Sequence, residues 1–359
     1  MAGPCPRSSA RLVAGLSRHV TVRPSGVRKT ADLLEKPLLG GEYDAGAWKR
    51  HELHPKTADE KAAEWIFLVD TLNFSFWAPD ETSQCRISFR GVSYTGYWAL
   101  CAAVNRAQEK GIPVCHSDFY SKMTEERMRD ILRSDSDHEM PLVPDRCRVL
   151  REAGAVLKEK FGGKFVNVLS ECEGSARKLI QLVVENFPSY RDEATYKGHR
   201  VCFYKRAQIL VGDVWACFEG KGLGYFKDVD VVTVFADYRI PQLLLHLGAL
   251  EYSEELTEDL KKGTELENGS EKEVEIRGCT IWAAEVRLSF LFYIYNKRPH
   301  YTVCCLLQKI VEELRKRTEK RGNAVVNSIL VDYFLWDYRR EHREETDATP
   351  FHRTRCIYY

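Results

Sequence analysis

The sequence predicts a mainly α-helical fold: a single globular helical domain with a small β hairpin or sheet element. Three observations carry that reading. Apolar residues recur at helical spacing along most of the chain, strand signals are few and short, and no βαβ alternation or internal repeat is present. The 359 residues, 44% hydrophobic and 29% charged, suffice for a large core and exclude a disordered or collagen-like chain.

Taken in order, residues 58–70 begin polar and turn apolar, as a helix entering a core does. Residues 85–94 alternate around Gly91 and predict a hairpin. Over 123–133, Thr124 is a cap candidate, and Met128, Ile131 and Leu132 form an apolar stripe. The spacing predicts a helix over 146–161, stopped by Gly162 and Gly163, and another over 175–187, ended before Pro188. Further helices are expected near 204–219, 240–250, 282–295, 303–320 and 328–340, and in the first half of the polar stretch 254–272. Gly220 to Gly224 reads as a helix end and turn, with phosphate binding the lesser reading. Residues 274–277 alternate briefly, and 355–359 suit an edge strand.

Composition narrows the function. Lys plus Arg number 53 against 52 acids, a net charge of +1, so the broad basic surface of a non-specific nucleic-acid binder is not expected, while a local basic pocket remains open. The 12 cysteines contain no CxxC pair, Cys304 and Cys305 are adjacent, and most lie in apolar stretches; reduced core thiols are the expectation. The longest greasy run, 288–295, is far short of the ~20 residues of a spanning helix. Before the first acid, Asp32, stand Arg7, Arg11, Arg18, Arg23 and Arg28 with several serines, a composition shared with mitochondrial transit peptides. The signatures GxxxxGKS/T, GxSxG, HExxH and GxGxxG are absent.

Two acidic, aromatic clusters stand out. In Phe235-Ala-Asp-Tyr-Arg-Ile-Pro241, Asp237 precedes an apolar helix. It suits either a helix cap or a carboxylate held at a rigid corner to face a cationic transition state. In Leu330-Val-Asp-Tyr-Phe-Leu-Trp-Asp-Tyr338, Tyr333 and Asp337 share one helix face and Asp332 and Trp336 another. A buried carboxylate needs a partner. That cluster is either an amphipathic helix whose acids meet surface arginines or a pocket in which aromatics stack on a heterocycle. His51 and His54 are three apart, with no third metal ligand at motif spacing. Lys205 and Arg206, where a helix begins, are either surface cations or a phosphate site.

These clusters carry a resemblance. Asp70-Thr-Leu-Asn-Phe-Ser-Phe-Trp77, Tyr94-Thr-Gly-Tyr-Trp98, Phe187-Pro-Ser-Tyr-Arg-Asp192, Phe203-Tyr-Lys-Arg-Ala-Gln208, Phe235-Ala-Asp-Tyr-Arg239, Asp332-Tyr-Phe-Leu-Trp-Asp-Tyr338 and Pro350-Phe-His-Arg353 closely resemble the queuosine salvage family of queuosine 5′-phosphate N-glycosidases/hydrolases. The likeness runs from about residue 20 to 359, leaving 1–19 as a divergent, flexible N-terminus. Ser25-Gly-Val-Arg-Lys-Thr-Ala-Asp-Leu-Leu34 resembles the family's first helix, which places those basic residues in the folded enzyme and discounts a transit peptide.

The resemblance implies a helical fold akin to helix-hairpin-helix DNA glycosylases and a cytoplasmic hydrolase without metal or cofactor. Its implied substrate is queuosine 5′-monophosphate, from which queuine is released for tRNA modification. It implies Asp237 as the catalytic carboxylate and Phe235, Asp237, Asp332, Tyr333 and Asp337 as a base pocket, with His51 reaching in from the N-terminal part. Residues 240–248 lack the GxG hairpin that grips a DNA backbone, which fits a mononucleotide better than duplex DNA. The alternatives are a non-catalytic binder of modified nucleotide or tRNA and a DNA glycosylase proper.

Overall fold

The computed structural model describes residues 4–40, 43–284 and 326–359. The helices, in chain order, are α1 (Pro6–Leu16), α2 (Pro24–Leu39), α3 (Ala47–Arg50), α4 (Glu60–Thr71), α5 (Gly96–Glu109), α6 (Ser117–Tyr120), α7 (Glu125–Ile131), α8 (Val143–Lys160), α9 (Phe165–Glu171), α10 (Ala176–Asn186), α11 (Lys205–Cys217), α12 (Arg239–His246), α13 (Glu254–Lys261), α14 (Glu271–Ala284), α15 (Ser328–Glu341) and α16 (Arg343–Thr346). Three antiparallel pairs join β1 (Val20–Val22) to β6 (Leu250–Tyr252), β2 (Arg86–Phe89) to β3 (Val92–Thr95), and β4 (Glu193–Tyr196) to β5 (His199–Cys202). The fold is mainly helical, as the periodicity predicts.

The chain forms two units. One takes its described residues from Met1–Asp44, Glu193–Phe203 and Val232–Thr354, the other from Ala45–Asp192, Tyr204–Val231 and Arg355–Tyr359. The segments alternate along the chain, so no linker composition marks a boundary.

The first unit is organised on α14, which is buried all round from Glu273 to Ala284. Helix α1 lies against it with Ala10 and Val13 fully buried. Residues 6–16 are thus a packed helix, not the flexible segment expected. Contact is close: a Cβ on Gly278 would come within 2.6 Å of the Val13 Cβ. Glu275, also on α14, accepts hydrogen bonds from Ser17 Oγ, the Arg18 and His19 amides and the Tyr196 hydroxyl, tying the α1 exit and the β4–β5 hairpin to one buried carboxylate.

The alternation over 274–277 had suggested a strand; it lies in α14 instead. The alternation misleads because both faces of that helix are covered, so charged and apolar positions do not sort by exposure. The helix expected over 240–250 ends at His246, and Leu250 enters β6. Residues 355–359 form no strand.

The second unit packs α4, α5, α8, α10 and α11 around a hydrophobic interior that includes Phe67, Phe165, Phe187 and Val211. Thr124 caps α7 by accepting from the Arg127 amide, and Ser175 caps α10 from the Lys178 amide. The β2–β3 hairpin turns through Arg90 and Gly91, both at positive φ, the two-residue geometry that matches strand twist. After α4 the chain is buried but irregular, and arginines satisfy its carbonyls. Arg146 donates to Leu72 and Phe74, and Arg206 to Thr71.

The ten described cysteines are free thiols, and burial pushes Cys115, Cys217 and Cys279 up to about 12, which makes them unreactive. Cys304, Cys305, the run 288–295 and the helix expected over 303–320 lie outside the described residues, as does most of that over 282–295. Among the described residues no helix is long and apolar enough to cross a membrane.

The α1–α14 contact makes a prediction. Gly278→Ala overpacks it and lowers stability by about 1–3 kcal/mol in urea unfolding. Adding Val13→Ala recovers most of that loss, so the double variant is more stable than the two single effects sum to.

Candidate active site

Five of the residues singled out by sequence fall in the first unit: Phe235, Asp237, Asp332, Tyr333 and Asp337. Residues 232–238 are an irregular, mostly buried stretch leading into α12. With neither helix nor ladder to pair its backbone, its buried polar groups require individual partners. The Phe235 amide donates to Asp332 Oδ2 at 2.7 Å. The Phe235 carbonyl accepts from the Asp237 amide at 2.7 Å, a three-residue turn. The Ala236 carbonyl accepts from Arg277 Nε at 3.0 Å. Asp237 therefore sits at a corner pinned on three sides.

The Asp237 side chain caps α12: its Oδ1 accepts from the Arg239 amide at 2.7 Å and the Ile240 amide at 3.1 Å. The capping reading of this residue is thus observed. Among the described residues these bonds reach Oδ1 alone, and the residue is half-buried, so the cap fixes one oxygen.

Helix α15 supplies the other wall. Asn327 caps it by accepting from the Leu330 amide. Asp332 is buried and accepts from the Phe235 amide. The Tyr333 ring stands 6.3 Å from that of Phe235, tilted by 56°. Asp337, one turn on from Tyr333, accepts from the Tyr43 hydroxyl, which is also within 3.2 Å of the Tyr333 carbonyl. Burial pushes the Asp337 carboxyl up to about 6, against the opposing pull of Arg340. The arrangement joins two rings, a half-buried carboxylate locked by a helix start, and a second carboxyl whose protonation changes near neutrality.

Three other residues expected at the site lie in the second unit. His51 stacks on Trp98, ring centroids 3.3 Å apart, and its Nδ1 accepts from the Leu53 amide, so a neutral ring carries its proton on Nε2. His54, behind it, bonds the Trp48 carbonyl and the Tyr97 hydroxyl, and burial lowers its pKa to about 3. Among the described residues no group of three His, Cys, Asp or Glu side chains could hold a metal.

Lys205 and Arg206 are not surface cations: they are 5% and 1% exposed. The helix start proposed for a phosphate holds the chain's own anion, since the Lys205 amide donates to Asp192 Oδ2. Lys205 Nζ lies 3.3 Å from Asn73 Oδ1, and the Arg206 guanidinium donates to the Thr71 and Ser189 carbonyls while lying over Tyr190. These bonds join both cations to oxygens of the chain itself.

Sequence reasoning missed Tyr43, Arg277 and Glu273. Tyr43 gave no local signal. Arg277 and Glu273 did: opposite charges four apart in a helix with no polar face.

Known proteins share this sequence. The chain matches the family described as Queuosine salvage protein over residues 53–359. It is 52% identical to the queuosine 5′-phosphate N-glycosylase/hydrolase of Mus musculus over 99% of this chain and 98% of that protein. The protein of the same name from Nematostella vectensis is 38% identical, with the same coverage of each chain. That of Sphaerobacter thermophilus is 39% identical over 87% of this chain and 85% of its own. With the pinned Asp237 corner and its aromatic, acidic wall in place, this extent of likeness makes the chain a member of the queuosine salvage protein family.

Proposed function

We propose that the protein hydrolyses the N-glycosidic bond of queuosine 5′-monophosphate and releases queuine. The relatives' shared name supports the reaction. The observation that carries the residue assignment is the half-buried Asp237 carboxylate, anchored through Oδ1 at a rigid corner beside Phe235.

Cleaving a C1′–N bond builds oxocarbenium-like charge on the ribose. Asp237 stabilises that charge, and the capping bonds hold it in place without reorganisation during the reaction. The leaving base is a 7-deazapurine, with carbon where a purine has N7, so protonation at N7 cannot assist departure. Catalysis then leans on ribose-side stabilisation and on hydrogen bonds to the departing ring. Phe235 and Tyr333 stack on the base, and Asp332 and Asp337 accept from its donors and its cationic side-chain amine. The near-neutral charge favours a free nucleotide over tRNA or duplex DNA. We assign the protein to the cytoplasm on the same resemblance.

Incubating the protein with queuosine 5′-monophosphate and detecting free queuine by mass spectrometry tests the activity. Asp237→Asn lowers turnover by about 10³-fold, the scale of losing one main electrostatic stabiliser. Its melting temperature stays near wild type, because an Asn oxygen caps α12 as well as an Asp oxygen does. Wild-type turnover in this variant would sink the assignment.

Asp337 gives a pH dependence. Its folded pKa, about 6, lies above the ordinary carboxylate value of roughly 3.9. The stability it lends the free protein is complete below the ordinary value and is lost as pH rises through about 6. Cation binding needs the ionised form, so substrate affinity moves the other way and improves from pH 5 to 7. Asp337→Asn flattens both profiles; KM against pH and thermal unfolding against pH measure them separately.

A further inference from the structure

We propose that Arg277 and Glu273 form a positioning pair that holds the Asp237 corner in its working geometry and cancels the charge needed to hold it. The proposal rests on Asp237 acting as the ribose-side carboxylate.

Of the bonds that tie residues 235–237 to another helix, the Arg277 contact is the one nearer the backbone of Asp237. Arg277 Nε bonds the carbonyl of Ala236, the peptide that leads into Asp237. A second nitrogen, Nη1, lies 3.3 Å from Glu273 Oε1, one helical turn back on α14. The guanidinium stands 4.3 Å over the Phe203 ring. Glu273 is itself fixed, accepting from the Gly269 amide through Oε2 at 3.1 Å. Both residues are 1% exposed.

The chemistry explains why two charges are present. A planar guanidinium can serve a carbonyl and a carboxylate at once from a rigid fork; a lysine ammonium cannot reproduce that geometry. Yet a lone buried cation beside Asp237 would oppose the positive charge that develops on the ribose and weaken the field of the carboxylate. Glu273 removes that penalty: beyond the pair, the two charges nearly cancel. The anchor then contributes placement without charge. Neither residue needs to touch substrate.

The test uses the full chain, with kcat and KM on queuosine 5′-monophosphate, the Kd for queuine, and the folded fraction from circular dichroism. Arg277→Lys keeps the charge and loses the fork. Its kcat per folded molecule falls by about 100-fold, the scale of an ångström-sized misplacement. KM and the queuine Kd stay within about twofold. Glu273→Gln keeps the anchor and uncovers its charge; kcat falls about tenfold, again with little change in KM. Should Arg277→Lys fail to fold, Glu273→Gln decides alone. Wild-type kcat per folded molecule, or parallel losses in kcat, KM and queuine affinity, would overturn the positioning role. The parent reading fails separately: full turnover by Asp237→Asn removes the carboxylate assignment whatever Arg277 does. An inactive Asp237→Asn beside a fully active Arg277→Lys removes only the pair.

Discussion

The hydrogen bond from the Phe235 amide to Asp332 is the constraint on which the candidate site depends. Residues 232–238 are mostly buried without secondary structure, a costly state unless every backbone polar group is paired. An α15 carboxylate accepts from one amide, an α14 guanidinium donates to one carbonyl, and a turn pairs the Asp237 amide with the Phe235 carbonyl. Buried charges that look misplaced in an aromatic or apolar helix are therefore the partners of an irregular segment elsewhere. Removing either would leave an unpaired group in the core and a looser corner at Asp237.

The second unit solves the same problem in the same way. The residues following α4 are buried and irregular, with Ser75 at positive φ. Arg146 and Arg206 read their carbonyls, and each guanidinium lies over the Phe74 ring as well. Guanidinium suits the task because it is planar, offers several donors and is more weakly hydrated than an ammonium. Asp70, fully buried beside this segment, is raised well above the carboxylate range by burial and then by Asp213, with Asn73 and Lys205 pulling the other way. Runs of residues that look functional by their polarity, such as Lys205 and Arg206, are in this fold structural for a reason that their local sequence does not display.

That difference sets how much was legible. Helix existence was readable in α7, capped by Thr124, and in α10, capped by Ser175, each with one face buried. The β2–β3 hairpin was readable from Gly91, whereas β1 and β6 pair residues more than two hundred positions apart and carry no local signal. α14 was misread because burial on all sides erases its amphipathic period. The site followed the same rule. Asp237, Asp332, Tyr333 and Asp337 declared themselves as carboxylates among aromatics in short stretches. Tyr43 did not, since its part depends on contacts distant in sequence.

Capping and catalysis are often set against each other as explanations of an aspartate at a helix start. For the role proposed for Asp237 they are complementary. A carboxylate free to rotate would have to be ordered as the ribose acquires charge, and part of its stabilising field would be spent on that ordering. Two amides on Oδ1 complete the ordering when the chain folds, at a helix end whose dipole favours the negative charge. In the reaction proposed above, the second oxygen would then meet developing charge from a fixed position. A leaving group without a protonatable N7 raises the demand on that one contact, because less of the barrier can be removed from the base side. The rigid corner, its buried anchors and the chemistry proposed for it are in this sense one requirement met at three levels of the structure.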